Sequence, residues 1–163
     1  MAAPENFLRP FRFHVDFLSA SLQSQSSSEQ VSLCRGAFSE CTGLEATMEP
    51  KVIKQGGDNY GAPQRAGTVT FATVVLKRGM TTNRNLWQWF NAVATGGYSY
   101  RLTVVINVFD LKGEAAMAWQ LERALPIKFK AADLNAKATE IGIEELHLVH
   151  EGLSTKDPTM KAL

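Results

Sequence analysis

The chain has 163 residues with 17 basic and 16 acidic side chains, so its formal net charge is +1 and its length fits one domain. This balance argues against the strongly basic surface that drives nucleic-acid binding. No stretch approaches the roughly 20 apolar residues of a membrane-spanning helix, and the amino terminus lacks the basic and then apolar pattern of a secretory signal. We therefore expect a protein made in the cytoplasm, with no membrane segment and no bound nucleic acid.

The first predicted strand begins at Phe11 and ends at Phe17. Its apolar side chains alternate with polar ones, which is typical of a strand with one buried face. The next segment, residues 19–32, has a Ser-rich centre and little that could pack in a core. It is predicted to be a flexible insertion.

Two further strands are predicted over residues 33–44 and 44–53. Gly36 and Gly43 interrupt the first of them and mark bends or bulges. Pro50 predicts an edge position for the second, because proline cannot donate a hydrogen bond to a central ladder.

A glycine-rich loop occupies most of residues 51–66. It contains turn-forming residues around a single aromatic side chain: Gly56, Gly57, Asn59, Tyr60 and Gly61. No Gly-Lys-Ser/Thr follows these glycines and they do not open a helix, so neither a phosphate-binding nor a dinucleotide-binding motif is present. Loops of this length without secondary structure of their own are often functional.

The central segment, residues 67–94, combines a strand with an amphipathic helix. The apolar residues of the strand change face near Thr73, which predicts either a bulge there or cover on both faces. A helix is predicted over about residues 83–95, because apolar side chains recur at helical spacing. Its core-facing stripe consists of Leu86, Trp89, Phe90 and Val93.

An antiparallel hairpin is predicted from residues 102–108 and 115–121, with a tight turn at residues 110–113. The alternation of apolar side chains in both strands is the basis of this prediction. Pro126 is then predicted to begin a separate short strand.

The last predicted strand covers residues 140–150. Its apolar side chains change face beside Glu144, with Ile141 and Ile143 on one side and Leu146 and Leu148 on the other. Residues 151–163 lack periodicity and contain Pro158. The pattern predicts a domain over residues 1–153 and a tail over residues 154–163 that is ordered only if something outside the domain holds it.

The sequence contains no constellation typical of catalysis or metal binding. The candidate groups are His14, His147, His150, Cys34 and Cys41. The spacing of the last two histidines directs them to opposite faces of a strand, and the cysteines lack the spacing of a zinc or redox motif. We therefore expect no enzyme activity, no cofactor and no metal, with both thiols unpaired in a reducing compartment.

Aromatic side chains offer the best case for a small-ligand site. Trp89 and Trp119 lie at core-facing positions, however, and only Trp87 stands off the helical stripe. A monomeric β module that binds a ligand through Trp87 and Tyr60 is therefore an alternative function.

Taken together, these residues resemble the inner tube proteins of contractile tails: phage tail tubes, the tubes of extracellular contractile injection systems and the related secretion-system tube protein. The resemblance covers most of residues 11–153 and rests on the order and spacing of several short motifs. These are Phe11-Arg-Phe-His-Val15, Phe38-Ser-Glu-Cys-Thr-Gly-Leu44, Asn59-Tyr60-Gly61, Leu76-Lys-Arg-Gly79, Leu86-Trp-Gln-Trp89, Val108-Phe-Asp110, Ile143-Glu-Glu-Leu146 and His150-Glu-Gly152. The Ser-rich residues 19–32 depart from the family pattern, in which the first hairpin is usually shorter.

The resemblance implies a mainly β protein, an antiparallel β-sandwich or barrel with one packed helix. Family members assemble into hexameric rings, and the rings stack into a tube around a hollow channel. The implied function is that of a structural subunit of the inner tube of a contractile phage tail or injection system that delivers cargo. The alternative within the same machine is a tube-like protein that starts the tube at the baseplate.

The resemblance also implies that residues 51–66 contact an adjacent subunit or ring, because family members use an extended hairpin there. The contact residues expected are Lys51, Gly56, Gly57, Asn59, Tyr60 and Gly61. The implied partners are further copies of the chain, sheath and baseplate proteins, and effector cargo in the channel. Assembly in the bacterial cytoplasm is expected, followed by incorporation into a phage tail or injection particle.

Overall fold

The computed structural model describes residues 12–19, 38–57, 60–96 and 100–156. Residues 20–32 of the predicted insertion over residues 19–32, together with Phe11, Cys34, Gly36 and Asn59, lie outside these residues. Mainly antiparallel strands and one helix form the fold, as the sequence predicts. In chain order they are β1 Phe13–Ser19, β2 Glu40–Thr42, β3 Ala46–Met48, β4 Lys51–Val52, β5 Gln64–Arg65, β6 Val69–Phe71, β7 Val74–Gly79, α1 Asn85–Ala94, β8 Leu102–Phe109, β9 Ala115–Lys130, β10 Ile143–Val149 and β11 Gly152–Lys156.

One seven-stranded antiparallel sheet forms the body, and strand β9 links its two parts. In the front part, β8 pairs with β1 on one side and with β9 on the other, while β11 pairs with the opposite edge of β9. In the back part, the end of β9 pairs with β10, followed by β7 and β2. The predicted hairpin over residues 102–121 is therefore confirmed.

The sheet bends where β9 passes from the front part to the back part. Arg123 has a φ of 50°, which is the left-handed region that a side chain rarely adopts. Beside it, the Glu151 amide donates to the Glu122 carbonyl at 2.9 Å. Arg101 and Arg123 both donate to the Glu151 carboxylate, at 2.6 and 2.7 Å. A backbone hydrogen bond and two ion pairs therefore stabilise this bend of the sheet, which we call the corner.

One core fills the space enclosed by the two parts of the sheet and the helix. Its side chains come from the front part, the back part and α1: Val15, Phe17, Val104, Ile106, Leu121, Val74, Leu76, Leu146, Leu148, Leu86, Trp89 and Val93. Trp89 packs edge-on against Phe17 with ring centroids 5.6 Å apart, and its indole N–H donates to the Tyr100 carbonyl at 3.1 Å. This hydrogen bond lets a large ring with a polar atom lie in the core. Phe90 is half-buried beside it.

One prediction about strand continuity is wrong. Pro126 does not begin a new strand, because β9 runs through it as one strand of 16 residues. The ladder to β10 shifts register next to this proline, between His147 and Leu148, and such irregularities are where a sheet tolerates proline.

The apolar side chains of the last strand change face as predicted, and only one of the two faces is buried. Glu144 is buried along with Leu146 and Leu148, so the buried positions of β10 keep one parity. Ile141 and Ile143 are exposed instead. Glu144 fits this core-side position because the Arg78 guanidinium on the neighbouring β7 donates to its carboxylate.

The carboxy-terminal segment is more ordered than its sequence predicts. Residues 152–156 form β11, which pairs with β9 from Ala118 to Glu122, so the prediction of a tail after residue 153 is wrong as far as Lys156. β11 continues along the same edge of β9 that β10 occupies. Residues 157–163 lie outside the described residues, and the domain boundaries stay a prediction.

Candidate assembly interface

A long hairpin, residues 46–71, stands outside the seven-stranded sheet, and we call it the arm. Its base is the β3–β6 ladder, with Ala46 opposite Phe71 and Met48 opposite Val69. Farther out, β4 and β5 pair Lys51 with Arg65. Each ladder is a two-stranded sheet of its own. The predicted loop over residues 51–66 is the outer part of this arm.

The arm begins where two strands of the back part end together. At Gly43, which follows β2, φ is +88°, and an added Cβ would lie 2.0 Å from the Thr73 carbonyl oxygen. β6 ends at Phe71 and β7 begins at Val74, so the irregularity predicted near Thr73 is a break between two sheets. Only glycine permits this close approach of the two chain segments.

The surface of the arm is unusually apolar for a free hairpin. Its exposed apolar side chains are Met48, Val52, Ile53, Tyr60 and Val69, and Tyr60 is 100% exposed. An isolated two-stranded hairpin is at best marginally stable in water. These exposed side chains make the arm a candidate contact surface.

The predicted contact residues lie on this arm but do not form a compact site. Lys51, Gly56, Gly57, Tyr60 and Gly61 are exposed, and an added Cβ at any of the three glycines would meet no atom within 4 Å. Sequence reasoning placed the interface at the glycine-rich turn and missed Met48, Val52, Ile53 and Val69. The sequence contains a signal for these residues, because apolar segments lie on both sides of the glycine-rich loop and can pair as two strands.

The end of the arm nearest the body contacts the corner of the sheet. Phe71 packs against the His150 ring with centroids 5.0 Å apart, and His150 Nδ1 lies 2.9 Å from the Gly152 carbonyl oxygen. Burial lowers the pKa of His150. His150 Nε2 is buried and makes no hydrogen bond within the part of the chain that the structure describes. A neutral ring with Nδ1 protonated fits this environment.

The front part of the sheet has two further edges that could pair. Among the described residues, β1 pairs only with β8, and β11 pairs only with β9. The four strands alternate in direction in the order β1, β8, β9, β11, so β1 and β11 run antiparallel to each other. Their unpaired backbone groups can accept a strand from another chain.

The titratable groups Glu145, Cys41 and His14, which the structure describes, lie in structural environments. Glu145 and His147 are hydrogen-bonded at 3.4 Å, and this contact is the main cause of the lowered pKa of Glu145. Burial raises the pKa of the Cys41 thiol to about 11, which makes it a poor nucleophile. His14 packs edge-on against Phe109 at 5.2 Å. The described residues contain no group of three or more His, Cys, Asp or Glu side chains that could hold a metal ion.

Trp87 is 47% exposed, and its ring packs against Phe90 and Phe129 at centroid distances of 5.7 and 5.6 Å. Trp87 is therefore a surface side chain that is held in place by two neighbouring aromatic rings. No helix in the described ranges is long and apolar enough to cross a membrane.

Comparison with known proteins identifies the family. The model described as "T4-like virus tail tube protein gp19" matches residues 9–154. No curated protein matches the chain by sequence.

Several solved structures share the fold. "Cryo-EM structure of the anti-feeding prophage (AFP) baseplate, 6-fold symmetrised" contains a chain with a TM-score of 0.74 and 24% identity, and the match covers 98% of this chain and 100% of that one. For "Cryo-EM Structure of an Extracellular Contractile Injection System, PVC sheath-tube complex in extended state", the TM-score is 0.76 at 17% identity, covering 94% of each chain. The Hcp1 protein from E. coli EAEC 042 is more distant, with a TM-score of 0.51, 12% identity and coverage of 90% and 92%. The chain belongs to the family of T4-like virus tail tube proteins.

Proposed function

We propose that this tail tube protein is the repeated subunit of the inner tube of a contractile injection system or phage tail. In this proposal, copies close into rings of six, rings stack around a hollow channel, and the tube lies inside a sheath and on a baseplate. The similar AFP structure is described as six-fold symmetrised, and the similar PVC structure as a sheath-tube complex.

The observation that carries the proposal is the direction of β1 and β11, the two edge strands of the front part among the described residues. Because β1 and β11 run antiparallel, β11 of one copy can pair with β1 of the next and continue the same alternation. Such a head-to-tail contact repeats with one rotation and closes into a ring when the rotation divides a full turn. Closure removes both edges, which otherwise invite uncontrolled aggregation.

The arm supplies the contact between stacked rings, which pairing of β11 with β1 within a ring does not provide. It is a separate hairpin with exposed apolar side chains, and the predicted contact residues Lys51, Gly56, Gly57, Tyr60 and Gly61 lie in its outer half. A ring alone would leave this surface in water. Docking of the arm on a neighbouring copy joins rings into a tube.

The test is electron microscopy and sedimentation of the purified, concentrated protein. Rings and tubes with a central channel are expected. A strict monomer with a saturable small ligand at Trp87 or Tyr60 would contradict the proposal and support the ligand-binding β module. Addition of effector cargo during assembly then tests whether the channel is filled.

A second candidate is the baseplate-end protein that starts the tube. The chain from the AFP baseplate structure, at 24% identity over 98% of this chain, favours this candidate, since the chain from the PVC sheath-tube structure shares 17% identity. The same micrographs separate the two candidates. A repeated subunit grows long tubes by itself, whereas an initiator stops at one ring until another tube protein is added.

A further inference from the structure

A second exposed apolar surface lies at the end of the back part, and we call its residues Ile141 and Ile143 the distal patch. Ile141 is 76% exposed and Ile143 is 42% exposed. Ile143 lies opposite Gly79, and an added Cβ at Gly79 would lie 3.3 Å from Ile141, so the two isoleucines share one face. Met80 is also exposed, but its amide donates to the Gly142 carbonyl at 2.7 Å and its side chain lies on the Gly142 face, away from the patch.

The backbone under the distal patch is closely packed. An added Cβ at Gly142 would lie 2.6 Å from the Ala132 side chain, and Ala132 is buried. Directly behind the patch, Glu144 and Arg78 form their buried ion pair. The patch therefore lies on a closely packed part of the body.

The distal patch and the arm lie at opposite ends of β7. The chain enters β7 from the arm at Val74 and leaves it at Gly79, beside the patch. Six residues of strand separate the two ends by about 17 Å at the usual rise. Copies stacked head to tail along this direction therefore bring the arm of one copy to the patch of the next.

The two surfaces are complementary in chemistry. The outer arm, residues 51–66, carries three basic side chains and one acidic one, whereas the loop before the patch, residues 131–142, carries two acidic side chains and one basic one. Both also expose apolar side chains: Val52 and Ile53 on the arm, Leu134 in the loop and Ile141 at the patch. Apolar surface rimmed by opposite charge is the usual composition of a protein interface.

We infer that the distal patch is the receptor for the arm of a second copy of this chain. Val52 and Ile53 pack against Ile141 and Ile143, and the basic arm lies beside the acidic loop. The contact is heterologous, because the arm and the patch are different surfaces, so it propagates along the tube without closing. This inference rests on the proposed tube function and names the surface that receives its arm.

Site-specific photo-crosslinking tests the contact directly. A photoreactive phenylalanine analogue replaces Ile141, and tubes are assembled from a mixture of isotope-labelled and unlabelled copies. Mass spectrometry of the products is expected to find peptides of residues 46–71 joined to position 141 of a different copy, in tubes only. The matched control carries the same probe in place of Leu111, which is 70% exposed in the β8–β9 turn and is expected to trap no arm peptide.

Substitutions at the same positions provide a second measurement. Ile141→Asp is expected to keep the monomer folded and to raise the concentration needed for tube growth by on the order of tenfold or more, because a charge replaces an apolar contact. Leu111→Asp is expected to leave it unchanged. Normal tubes from Ile141→Asp, or tubes in which position 141 is crosslinked to other segments, would contradict the inference that the patch receives the arm. Either result would leave the proposed tube function unaffected. Failure of the unmodified protein to assemble would overturn both.

Discussion

Glu144 occupies a position on β10 where the strand pattern requires a side chain that can be buried. The carboxylate is accommodated because Arg78 lies directly opposite it on β7 and is also buried. The same guanidinium donates through Nη2 to the Asn83 carbonyl at 3.0 Å, just before α1. One ion pair therefore links two strands to the segment that starts the helix.

Replacing one member of this pair is expected to be costly. Glu144→Gln removes the charge that compensates the buried guanidinium, and the free energy of unfolding should fall by about 3–5 kcal/mol. Glu40→Gln is the control, because Glu40 accepts from Lys77 at 3.1 Å on the exposed face, where such pairs contribute about 1 kcal/mol or less. Urea denaturation of both variants measures the difference. Equal losses would show that the buried pair has no special role.

Trp89 and Trp87 form a second matched pair, only two residues apart on α1. Trp89 is 2% exposed and contacts Phe17, whereas Trp87 is about half exposed. Trp89→Ala should lower the free energy of unfolding by about 3–5 kcal/mol and reduce soluble expression. Trp87→Ala should cost about 1–2 kcal/mol. Thermal melts that overlay for Trp89→Ala and the parent would refute the packing of the helix described above.

At the scale of elements, the crossing of Gly43 and Thr73 decides where the body ends and the arm begins. Strand β2 ends there and β7 begins there, and the chain between them forms the strands of the arm. A side chain at position 43 would collide with the Thr73 carbonyl and would also face a positive φ. The separation of body and arm therefore depends on one glycine.

Two glycine variants separate these effects. Gly43→Ala combines backbone strain with a collision and should cost about 2–5 kcal/mol. Gly57→Ala, at φ +87° with no atom near the added Cβ, carries the strain alone and should cost about 1–2 kcal/mol. Chemical denaturation compares the two variants, and a cost for Gly43→Ala no larger than that for Gly57→Ala would contradict the close crossing.

At the scale of the whole molecule, the body and the arm have different tasks. The body contains the core, whereas the arm has exposed apolar side chains and its own two-stranded ladders. Because the arm shares little of the core, it can be changed without unfolding the domain. Loss of assembly can then be measured separately from loss of stability.

Shortening the arm tests this division. Replacement of residues 56–61 by a two-residue turn should leave a soluble domain with a nearly unchanged melting temperature that no longer forms tubes. Tyr60→Ala should weaken tube growth less, and Tyr60→Phe, which keeps the ring, should assemble normally. Sedimentation and electron microscopy provide the readout. Long tubes of normal appearance from the shortened protein would show that the arm does not join rings.

Local sequence patterns predicted most elements of the fold. The strand β8, the start of β9 and the helix α1 follow from apolar periodicity, which reports which face of an element is buried. Where a charged residue occupies a buried position, as Glu144 does, the pattern does not show its burial, because its partner Arg78 is 66 residues away in the chain. β11 was missed for a related reason: its residues have no periodicity of their own and are ordered by pairing with β9.

The sequence by itself determined that this protein has a mainly β fold with one helix and a long glycine-rich loop, because strand period, helix period and turn chemistry are local properties. Only the tertiary structure decided that the loop belongs to an arm that begins at residue 46, that β9 spans both parts of the sheet, and that Ile141 lies on the surface. Each of these features depends on which distant strands pair and where they separate. Pairing of distant strands is a property of the whole chain, and no single segment contains it.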